Sequence, residues 1–388
     1  MAVADDVLAS AARWAHESPV ALATVVGTSG SAPRLPGAAM VVSVDGEVAG
    51  SVSSGCVEAA VFDLAENTLA TGAPSLRTFG FAADEVFDVG LTCGGRIEVF
   101  VQRLDVAADL EKLAKRAAAG TASALVTVLE HPDPEAVGTR IVVLPDVVPD
   151  GTTLGPDLER TLVDRARAML STGATGQVHC GADGSLLETG VRAFVQVWAP
   201  APRLLIFGAV DFAGALAGAG RFLGYDVTVC DARPVFTTAE RFPQAHRVVV
   251  DWPHRYLEQE AAAGRVDART AVCVLTHDAR FDVPVLQQAL RLPRVGYVGA
   301  MGSRRTHHER MGRLREEGVT ETELARLRSP LGLDLGAQTP EETALSIAAE
   351  LVAVRRGGSG RRLGQMDGPI HADASVPSPS GPVSVGRP

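Results

Sequence analysis

Short, continuously apolar runs recur at regular spacing in the second half of the chain and predict a parallel β-sheet. Strands that are covered on both faces are apolar at nearly every position, whereas half-exposed strands alternate with polar residues. Longer segments of helical character separate the runs, which is typical of a Rossmann-like domain. The predicted strands are 204–207, 227–230, 247–250, 271–275 and 295–298.

The first half of the chain has a less regular pattern, which predicts a mixed α+β domain. A hairpin is expected over Ala38–Ser53, with its turn at Asp45-Gly46. The predicted helices are Cys56–Ala70, Val106–Ala119 and Pro156–Leu170. The other predicted strands are Val20–Val26, Arg96–Arg103, Ala124–Leu129, Thr139–Leu144, Thr175–His179, Ser185–Glu188 and Arg192–Trp198.

The Pro200-Ala201-Pro202 segment marks the expected boundary between the two domains. The predicted domains are 1–200 and 203–356. The second ends in a helix with Thr339 as N-cap, Pro340 at its first position and Glu342 completing a capping box. This helix is expected to end near Arg355, Arg356 and Gly357. The segment 357–388, rich in Gly, Ser and Pro, is predicted to be a disordered tail.

Composition narrows the class of protein. A chain of 388 residues with 46% hydrophobic residues is long enough for two cores. Its net charge of −10 argues against a nucleic-acid-binding surface. Five widely spaced cysteines without a C-x-x-C pair argue against a disulfide scaffold or a zinc finger. No signal peptide or membrane-length apolar stretch is visible, so we expect a cytoplasmic protein without a membrane partner.

The segment Gly-Ser-Ala-Pro-Arg-Leu-Pro-Gly at 30–37 follows a predicted strand. Its glycines free the backbone and its prolines stiffen it, while Arg34 offers a planar fork for a phosphate or a carboxylate. The alternative is a rigid loop whose arginine makes an ordinary surface contact.

Two cysteines lie in glycine-containing segments of the first half, Ser53–Glu58 and Thr92–Gly95. Cys56 is expected at a helix N-terminus, where the helix dipole favours a thiolate, although a lone cysteine is more often a small buried hydrophobic residue. Glu58 in the first turn is equally explained as a complement to the dipole. Cys56 and Cys93 could meet as a soft-metal or sulfur site, which is a hypothesis.

The second domain opens with an incomplete dinucleotide fingerprint. The pattern G-x-G-x-x-G/A is here Gly208-x-Val210-x-x-Ala213, so the glycine that lets backbone approach a pyrophosphate is missing. Asp231, at the end of the second strand, is where an acidic residue would meet a ribose hydroxyl. Val210 therefore argues against an ordinary NAD dehydrogenase.

Two further segments follow predicted strands of the second domain. His277 and Asp278 could be an acid/base couple, metal ligands or a helix-capping loop, and capping is favoured for Asp278. In Gly299–Arg305, Arg304 and Arg305 oppose the dipole of the helix that they open, which an anion held by Ser303 and an arginine would explain. The alternative is that both arginines face solvent or pair with acidic neighbours.

Six motifs in order resemble the XdhC/CoxI family of accessory factors for xanthine dehydrogenase and related molybdenum hydroxylases. They are 30–37, Ser-Gly-Cys-Val-Glu (54–58), Thr-Cys-Gly-Gly (92–95), Thr-His-Asp (276–278), Gly-Ala-Met-Gly-Ser-Arg-Arg (299–305) and Ser-Pro-Leu-Gly-Leu-Asp-Leu-Gly-Ala-Gln-Thr-Pro-Glu-Glu (329–342). The sequence departs from the family pattern at Gly208-Ala209-Val210-Asp211, where G-A-G-H is usual, and at Ser54, where a second glycine is usual.

The resemblance implies a protein that is not an enzyme. Such a factor binds the molybdenum cofactor (molybdopterin or its cytidine dinucleotide form), shields it, attends its sulfuration with a cysteine desulfurase and delivers it to a molybdenum hydroxylase large subunit. A homodimer is also expected. We expect the cofactor between the two domains, with Cys56 and Cys93 facing the metal. The candidate binding residues are Ser31, Arg34, Gly55, Cys56, Glu58, Cys93, Gly94, Gly208, Asp231, His277, Gly302, Ser303, Arg304 and Arg305.

Two other functions stay open on the sequence. One is an NAD(P)-dependent oxidoreductase with a degenerate Rossmann fingerprint and His277 as its acid/base group. The other is a structural assembly protein whose Rossmann-like domain binds nothing.

Overall fold

The structure is a computed structural model that describes residues 2–30, 32, 34–53, 55, 57–80, 95–105, 108–145, 147 and 152–366. Contacts divide these residues into two compact units, with the division between Pro200 and Ala201. Each unit has its own sheets and its own hydrophobic clusters.

The first unit begins with a five-stranded antiparallel sheet in the order β3-β2-β1-β5-β4. The predicted hairpin is confirmed, and Gly46 in its turn has a φ of +80°. The predicted helix over Cys56–Ala70 begins instead at Glu58. The elements are α1 (Ala2–Ala15), β1 (Val20–Ser29), β2 (Ala39–Ser43), β3 (Val48–Gly50), α2 (Glu58–Thr71), β4 (Ser75–Gly80) and β5 (Arg96–Leu104).

A second antiparallel sheet of the first unit has four strands in the order β7-β6-β9-β8. The helix Pro156–Thr172 packs on this sheet through a cluster of apolar side chains. Its elements are α3 (Ala108–Ala118), β6 (Ser123–Glu130), β7 (Arg140–Val143), α4 (Pro156–Thr172), β8 (Gly176–Cys180) and β9 (Val191–Trp198). A short 3-10 helix at Pro134–Ala136 joins β6 to β7.

The predicted strand at Ser185–Glu188 is wrong. The carboxylate of Asp183 accepts a hydrogen bond from the Ser185 N–H, and the Gly181 N–H donates to the Ser185 carbonyl, so the chain turns over 181–185 and continues without strand pairing. Local aspartate–backbone bonding of this kind competes with strand pairing. Leu187 is 98% exposed, which fits a turn and not a buried strand.

The second unit is a six-stranded parallel sheet in the order β12-β11-β10-β13-β14-β15. This is the strand order 3-2-1-4-5-6 of a Rossmann fold, as the apolar runs predicted. The predicted strand 295–298 is displaced to 297–300, because the ladder pairs Tyr297 with Ala271. The elements are β10 (Arg203–Phe207), α5 (Asp211–Phe222), β11 (Asp226–Asp231), β12 (Arg247–Val250), α6 (Pro253–Ala262), β13 (Ala271–Val274), α7 (Ala279–Arg291), β14 (Tyr297–Ala300), α8 (Arg304–Glu316), α9 (Glu321–Leu324), β15 (Leu327–Arg328) and α10 (Pro340–Arg356).

Helices cover both faces of this sheet. Leu204 and Ile206 of β10 lie in a buried cluster with α5 and α10. Leu205 and Phe207 point to the opposite face, into a cluster with α6, α7 and α8. Burial of alternate side chains on both faces explains why the whole run 204–207 is apolar.

The capping box of α10 is confirmed, because the Thr339 hydroxyl accepts from the Glu342 N–H and the Glu342 carboxylate accepts from the Thr339 N–H. Gly357 ends the helix with a φ of +69°. The predicted disordered tail begins as exposed residues up to Met366, with a short 3-10 helix at Leu363–Gln365. The remainder of that prediction, 367–388, lies outside the described residues.

Candidate functional site

Three of the motif-bearing loops leave the five-stranded sheet at one end. Ser29, the last residue of β1, and Gly80, the last residue of β4, both pair with Arg96, the first residue of β5. Gly50, the last residue of β3, pairs with Met40 near the start of β2. Antiparallel pairing therefore brings the starts of the 30–37 and 51–57 loops to the same edge as Gly95. We call this edge the loop end of the first sheet.

Arg34 joins two of these loops. Its Nε donates a hydrogen bond to the carbonyl of Ser53 at 3.2 Å, across 19 residues of sequence. The side chain is half-buried, and no other hydrogen bond or ion pair of Arg34 is found within the described part of the chain. Its two terminal nitrogens thus retain donors that can meet an anion.

The Glu58 carboxylate organises the connection between β3 and α2. It accepts hydrogen bonds from the Ser51 and Ser53 hydroxyls at 2.7 and 2.6 Å, and from the Ser53 and Gly55 N–H groups at 2.8 and 2.9 Å. Partial burial opposes ionisation, but the hydrogen bonds from Ser53 and Ser51 outweigh it and lower the pKa of Glu58 to about 2. Glu58 is therefore a carboxylate at neutral pH and holds the backbone of this loop.

Four of the candidate residues of the first unit, namely Ser31, Cys56, Cys93 and Gly94, lie outside the described residues. Within the described residues, no group of three or more His, Cys, Asp or Glu side chains could hold a metal ion. Burial raises the pKa of the Cys180 thiol, raises that of Cys230 to about 12 and raises that of Cys273 further, so these three buried thiols are unreactive at neutral pH.

In the second unit, the remaining motifs lie at the carboxyl edge of the parallel sheet. Gly208 follows β10 with a φ of +121°, and a Cβ at this position would be 2.8 Å from the Thr276 Cγ2 and 3.0 Å from the Thr276 nitrogen. Gly208 follows β10 and Thr276 follows β13, which is the neighbour of β10 in the sheet. The helices after these two strands, α5 and α7, cover opposite faces, so the contact lies at the topological switch point of the sheet. Glycine at 208 is needed both for its conformation and for the close approach of Thr276.

Asp231 lies where the sequence predicted a ribose contact, but its oxygens already have partners. One oxygen accepts from the Ala209 N–H at 2.8 Å and from the Arg233 guanidinium at 2.7 Å, and the other accepts from the Arg233 N–H and Nε, both at 2.9 Å. Burial opposes ionisation, but the bonds from Arg233 and Ala209 outweigh it, so the pKa of Asp231 is lowered. The carboxylate thus binds the turn itself, including an N–H that a Rossmann turn ordinarily offers to a phosphate.

Of the pair that follows β13, Asp278 is a helix cap. Its side chain accepts from the Arg280 N–H at 3.0 Å, as the capping interpretation predicted, and hydrogen bonds from the Arg280 guanidinium hold its pKa at about 2. His277 is exposed and makes no hydrogen bond within the described residues. A general acid or base is usually oriented by a hydrogen-bonded partner.

The 299–305 motif divides between a strand end and a helix start. Gly299 belongs to β14, and Gly302 has a φ of +151°. Ser303 is the N-cap of α8 and accepts from the Thr306 N–H at 3.1 Å. Arg305 pairs with Glu309 one turn along the helix at 3.0 Å, which fits the alternative interpretation for this residue. Arg304 is exposed and has no ion pair with the described residues.

Sequence reasoning missed a buried polar network at the same edge. Asp282 accepts hydrogen bonds from the Thr276 hydroxyl and, at 2.9 Å, from the Arg310 guanidinium. Arg310 also donates to the Met301 carbonyl at 2.8 Å and to the Ser329 hydroxyl at 3.1 Å, so it joins the segments that follow β13, β14 and β15. Arg310 and Asp282 are only 3% and 4% exposed. Thr276, Met301 and Ser329 lie in the motifs at 276–278, 299–305 and 329–342, but nothing in those motifs indicates that Asp282 and Arg310 join them, because the members are distant in sequence.

No helix among the described residues combines the length and the apolar character that crossing a bilayer requires.

Two family models match this chain. The model of the XdhC Rossmann domain matches residues 204–351. The model of the XdhC and CoxI family matches residues 13–80 and 116–181. The matched ranges lie on either side of the division between the two compact units.

Similar proteins extend over most of the chain. The molybdenum cofactor insertion chaperone PaoD of Escherichia coli is 30% identical over 338 residues, which are 86% of this chain and 83% of the relative. A probable xanthine dehydrogenase subunit of Bacillus subtilis is 28% identical over 343 residues, which are 86% of this chain and 93% of the relative. A solved structure from Bacillus halodurans, described as a xanthine dehydrogenase, has a TM-score of 0.59 and 24% identity, and the alignment covers 94% of this chain and 98% of the other.

Proposed function

This chain belongs to the XdhC and CoxI family, and we propose that it is a maturation factor that carries the molybdenum cofactor to a molybdenum hydroxylase. The cofactor is then cargo, and the chain itself does not turn over a substrate. The similarity to a molybdenum cofactor insertion chaperone over 86% of this chain supports this proposal. The first unit also offers a surface on which such a cargo can bind.

The observation that carries the proposal is the meeting of the motif loops at the loop end of the first sheet. Arg34 keeps terminal nitrogens without partners among the described residues, and Glu58 fixes the loop that contains Gly55. A pyranopterin phosphate needs a cationic, hydrogen-bonding contact for its phosphate, and its metal favours soft sulfur ligands. We propose that Arg34 binds the phosphate and that Cys56 and Cys93 supply thiolates to the metal.

The finer parts of the role follow from the same chemistry. Cys56 and Cys93 would hold the cofactor through its metal while a cysteine desulfurase provides the sulfur for its sulfuration, before delivery to the hydroxylase large subunit. Gly55 and Gly94 would let backbone approach the cargo, and Ser31 would offer its hydroxyl as a hydrogen-bonding group. A homodimer and a molybdopterin or cytidine dinucleotide cargo complete the proposal.

In the second unit, taken by itself, the proposed anion contacts are Gly302, Ser303 and Arg304 at the start of α8. Arg305 and His277 are peripheral members of this set, because one pairs with Glu309 and the other is exposed without a hydrogen bond in the described residues. Gly208 and Asp231 shape the neighbouring turn. A dinucleotide placed as in a dehydrogenase would have to displace Arg233 and the Ala209 N–H from Asp231.

The decisive experiment is metal analysis together with pterin fluorescence of the protein purified from cells that make the cofactor. Stoichiometric molybdenum and pterin in the wild-type protein are the expected result. Cys56→Ala and Cys93→Ala should each lose both signals without loss of folding, while Cys180→Ala, a buried thiol in the same unit, should retain them. A folded wild-type protein with neither metal nor pterin would contradict the carrier role. Micromolar binding of NAD or NADP would favour the oxidoreductase.

A further inference from the structure

Glu58 makes as many hydrogen bonds as its carboxylate can accept. An ionised carboxylate has two oxygens and about four lone-pair sites. Each oxygen of Glu58 accepts two of the four hydrogen bonds that come from Ser51, Ser53 and Gly55. A metal ion or a cofactor hydroxyl could reach this carboxylate only by displacing one of these donors.

The donors to Glu58 all belong to the connection between β3 and α2, so the carboxylate holds the backbone of that connection. The Ser53 and Gly55 N–H groups lie on either side of position 54, and Gly55 has a φ of +107° with no atom near its missing Cβ. On the far side of the loop, Val57 is 1% exposed in the core of the sheet. The loop is therefore held at Gly55 by a hydrogen bond to Glu58 and at Val57 by packing.

The same segment is tied to the 30–37 loop. The Ser53 carbonyl that accepts from Arg34 also lies 2.6 Å from the Ser51 hydroxyl, which shares its single hydrogen between this carbonyl and the Glu58 carboxylate at 2.7 Å. A displacement of the Glu58 carboxylate would disturb the carbonyl against which the Arg34 guanidinium rests. Glu58 thus stabilises the geometry of the 51–57 loop directly and that of the 30–37 loop through Ser53 and Arg34.

We propose that Glu58 is a positioning residue for cofactor binding, which acts through the N–H groups of Ser53 and Gly55 and the Arg34–Ser53 contact and does not itself bind the cofactor. This inference rests on the proposed carrier function. Partners behind the direct ligands of a metal commonly contribute a factor of about 10 to 100 to its retention. Glu58→Gln, in which an amide nitrogen faces N–H and O–H donors, is expected to reduce cofactor retention about tenfold or more.

The test compares Glu58→Gln with Glu159→Gln in the full-length protein. Glu159 is a matched control, because it also lies in the first turn of a helix of the first unit and accepts from the Thr152 N–H and hydroxyl at 2.7 and 2.8 Å. Molybdenum and pterin content are measured together with hydrogen–deuterium exchange of the peptide 51–58 and with thermal unfolding. We expect Glu58→Gln alone to lose both the cofactor and the protection of Ser53 and Gly55.

A double-mutant cycle separates positioning from direct binding. If Glu58 acts through Ser53, then Ser53→Ala should by itself reduce retention and should add less than about twofold in the Glu58→Gln background, because coupled residues are not additive. If Glu58 binds the cofactor directly, Ser53→Ala frees one acceptor position of its carboxylate and should leave retention unchanged or higher, which would overturn the inference. Ser53→Ala also serves if Glu58→Gln fails to fold.

The remaining outcomes are distinguishable. A wild-type protein without cofactor contradicts the carrier function, whatever Glu58 does. A cofactor-loaded wild-type protein whose Glu58→Gln variant retains the cofactor, or loses it with unchanged exchange in the peptide 51–58, contradicts the positioning role alone.

Discussion

The buried ion pair between Asp282 and Arg310 allows a prediction with a definite pH dependence. Arg310→Met keeps most of the side-chain volume but leaves the Asp282 carboxylate, 4% exposed, without its counter-charge. Breaking a buried pair by removing one partner typically costs about 3–5 kcal/mol. This cost has an upper limit, because an unpaired Asp282 can bind a proton and become neutral, and the destabilisation then equals the free energy of that protonation.

The limit follows from the free energy of protonation. Relative to an ordinary aspartate pKa near 3.9, protonation costs about 4 kcal/mol at pH 7 and only about 1.5 kcal/mol at pH 5. Burial raises the pKa of Asp282 already in the wild type, in spite of the hydrogen bonds from Thr276 and Arg310, so protonation of the variant is within reach. Arg310→Met should therefore destabilise the second unit by about 4 kcal/mol at pH 7 and much less at pH 5.

Native-state hydrogen exchange of the β13 amides (Ala271–Val274), corrected for intrinsic rates, measures this difference. Exchange should be about a thousandfold faster than in the wild type at pH 7 and about tenfold faster at pH 5. Arg305→Met, on the same helix but 89% exposed at its side chain, should have little effect at either pH. Asp282→Asn combined with Arg310→Met should remove the pH dependence. A cost for Arg310→Met that is equal at pH 7 and pH 5 would refute the charge argument and assign the loss to packing and hydrogen bonds alone.

Three further changes test other parts of the structure. Gly208→Ala should destabilise the second unit by more than about 1 kcal/mol, because the φ of +121° and the contact with Thr276 exclude a Cβ; an unchanged urea midpoint would contradict this. Thr339→Ala removes the N-cap of α10 and should lower the free energy of unfolding by about 1 kcal/mol in the same assay. An unchanged urea midpoint would show that this cap does not contribute to stability. Hydrogen bonding to Arg265 and Arg203 lowers the pKa of Glu260 to about 2, so its stabilisation is present above about pH 4.5 and is lost as the pH falls towards 2. The stability difference between wild type and Glu260→Gln should narrow over that range, and a constant difference would count against the pairing.

The sequence predicted best those features that depend on neighbouring residues. The capping box of α10 needs only Thr339, Pro340 and Glu342 in one turn, and the structure has it. The Asp278 cap is local in the same way. At Ser185–Glu188, by contrast, a short-range signal was misread, because the turn made by Asp183 competes with strand pairing.

Candidate site residues were harder to interpret, because a side chain's role depends on which groups face it. In the sequence, Asp231 lies where an acidic residue would meet a ribose hydroxyl, and Glu58 is a candidate cofactor contact or a complement to a helix dipole. In the structure, Asp231 closes the first turn of the Rossmann unit, and Glu58 accepts four hydrogen bonds from its own loop. The chemistry of each carboxylate is fixed by its donors. Gly55 and Ala209 lie within the motifs, but neither motif indicates that these N–H groups donate to Glu58 and to Asp231.

By itself the sequence determined the parallel sheet, the mixed first half and the set of motifs that mark the family, because hydrophobic periodicity and turn chemistry act over a few residues. Only the tertiary structure decided which motifs meet. The antiparallel register of the first sheet brings the loop of Arg34 to that of Ser53. In the second unit, the packing of α7 and α8 on one face of the parallel sheet buries Arg310 against Asp282, which is 28 residues away. Contacts between distant segments are fixed by strand register and by the burial of whole faces, which no short stretch of sequence contains.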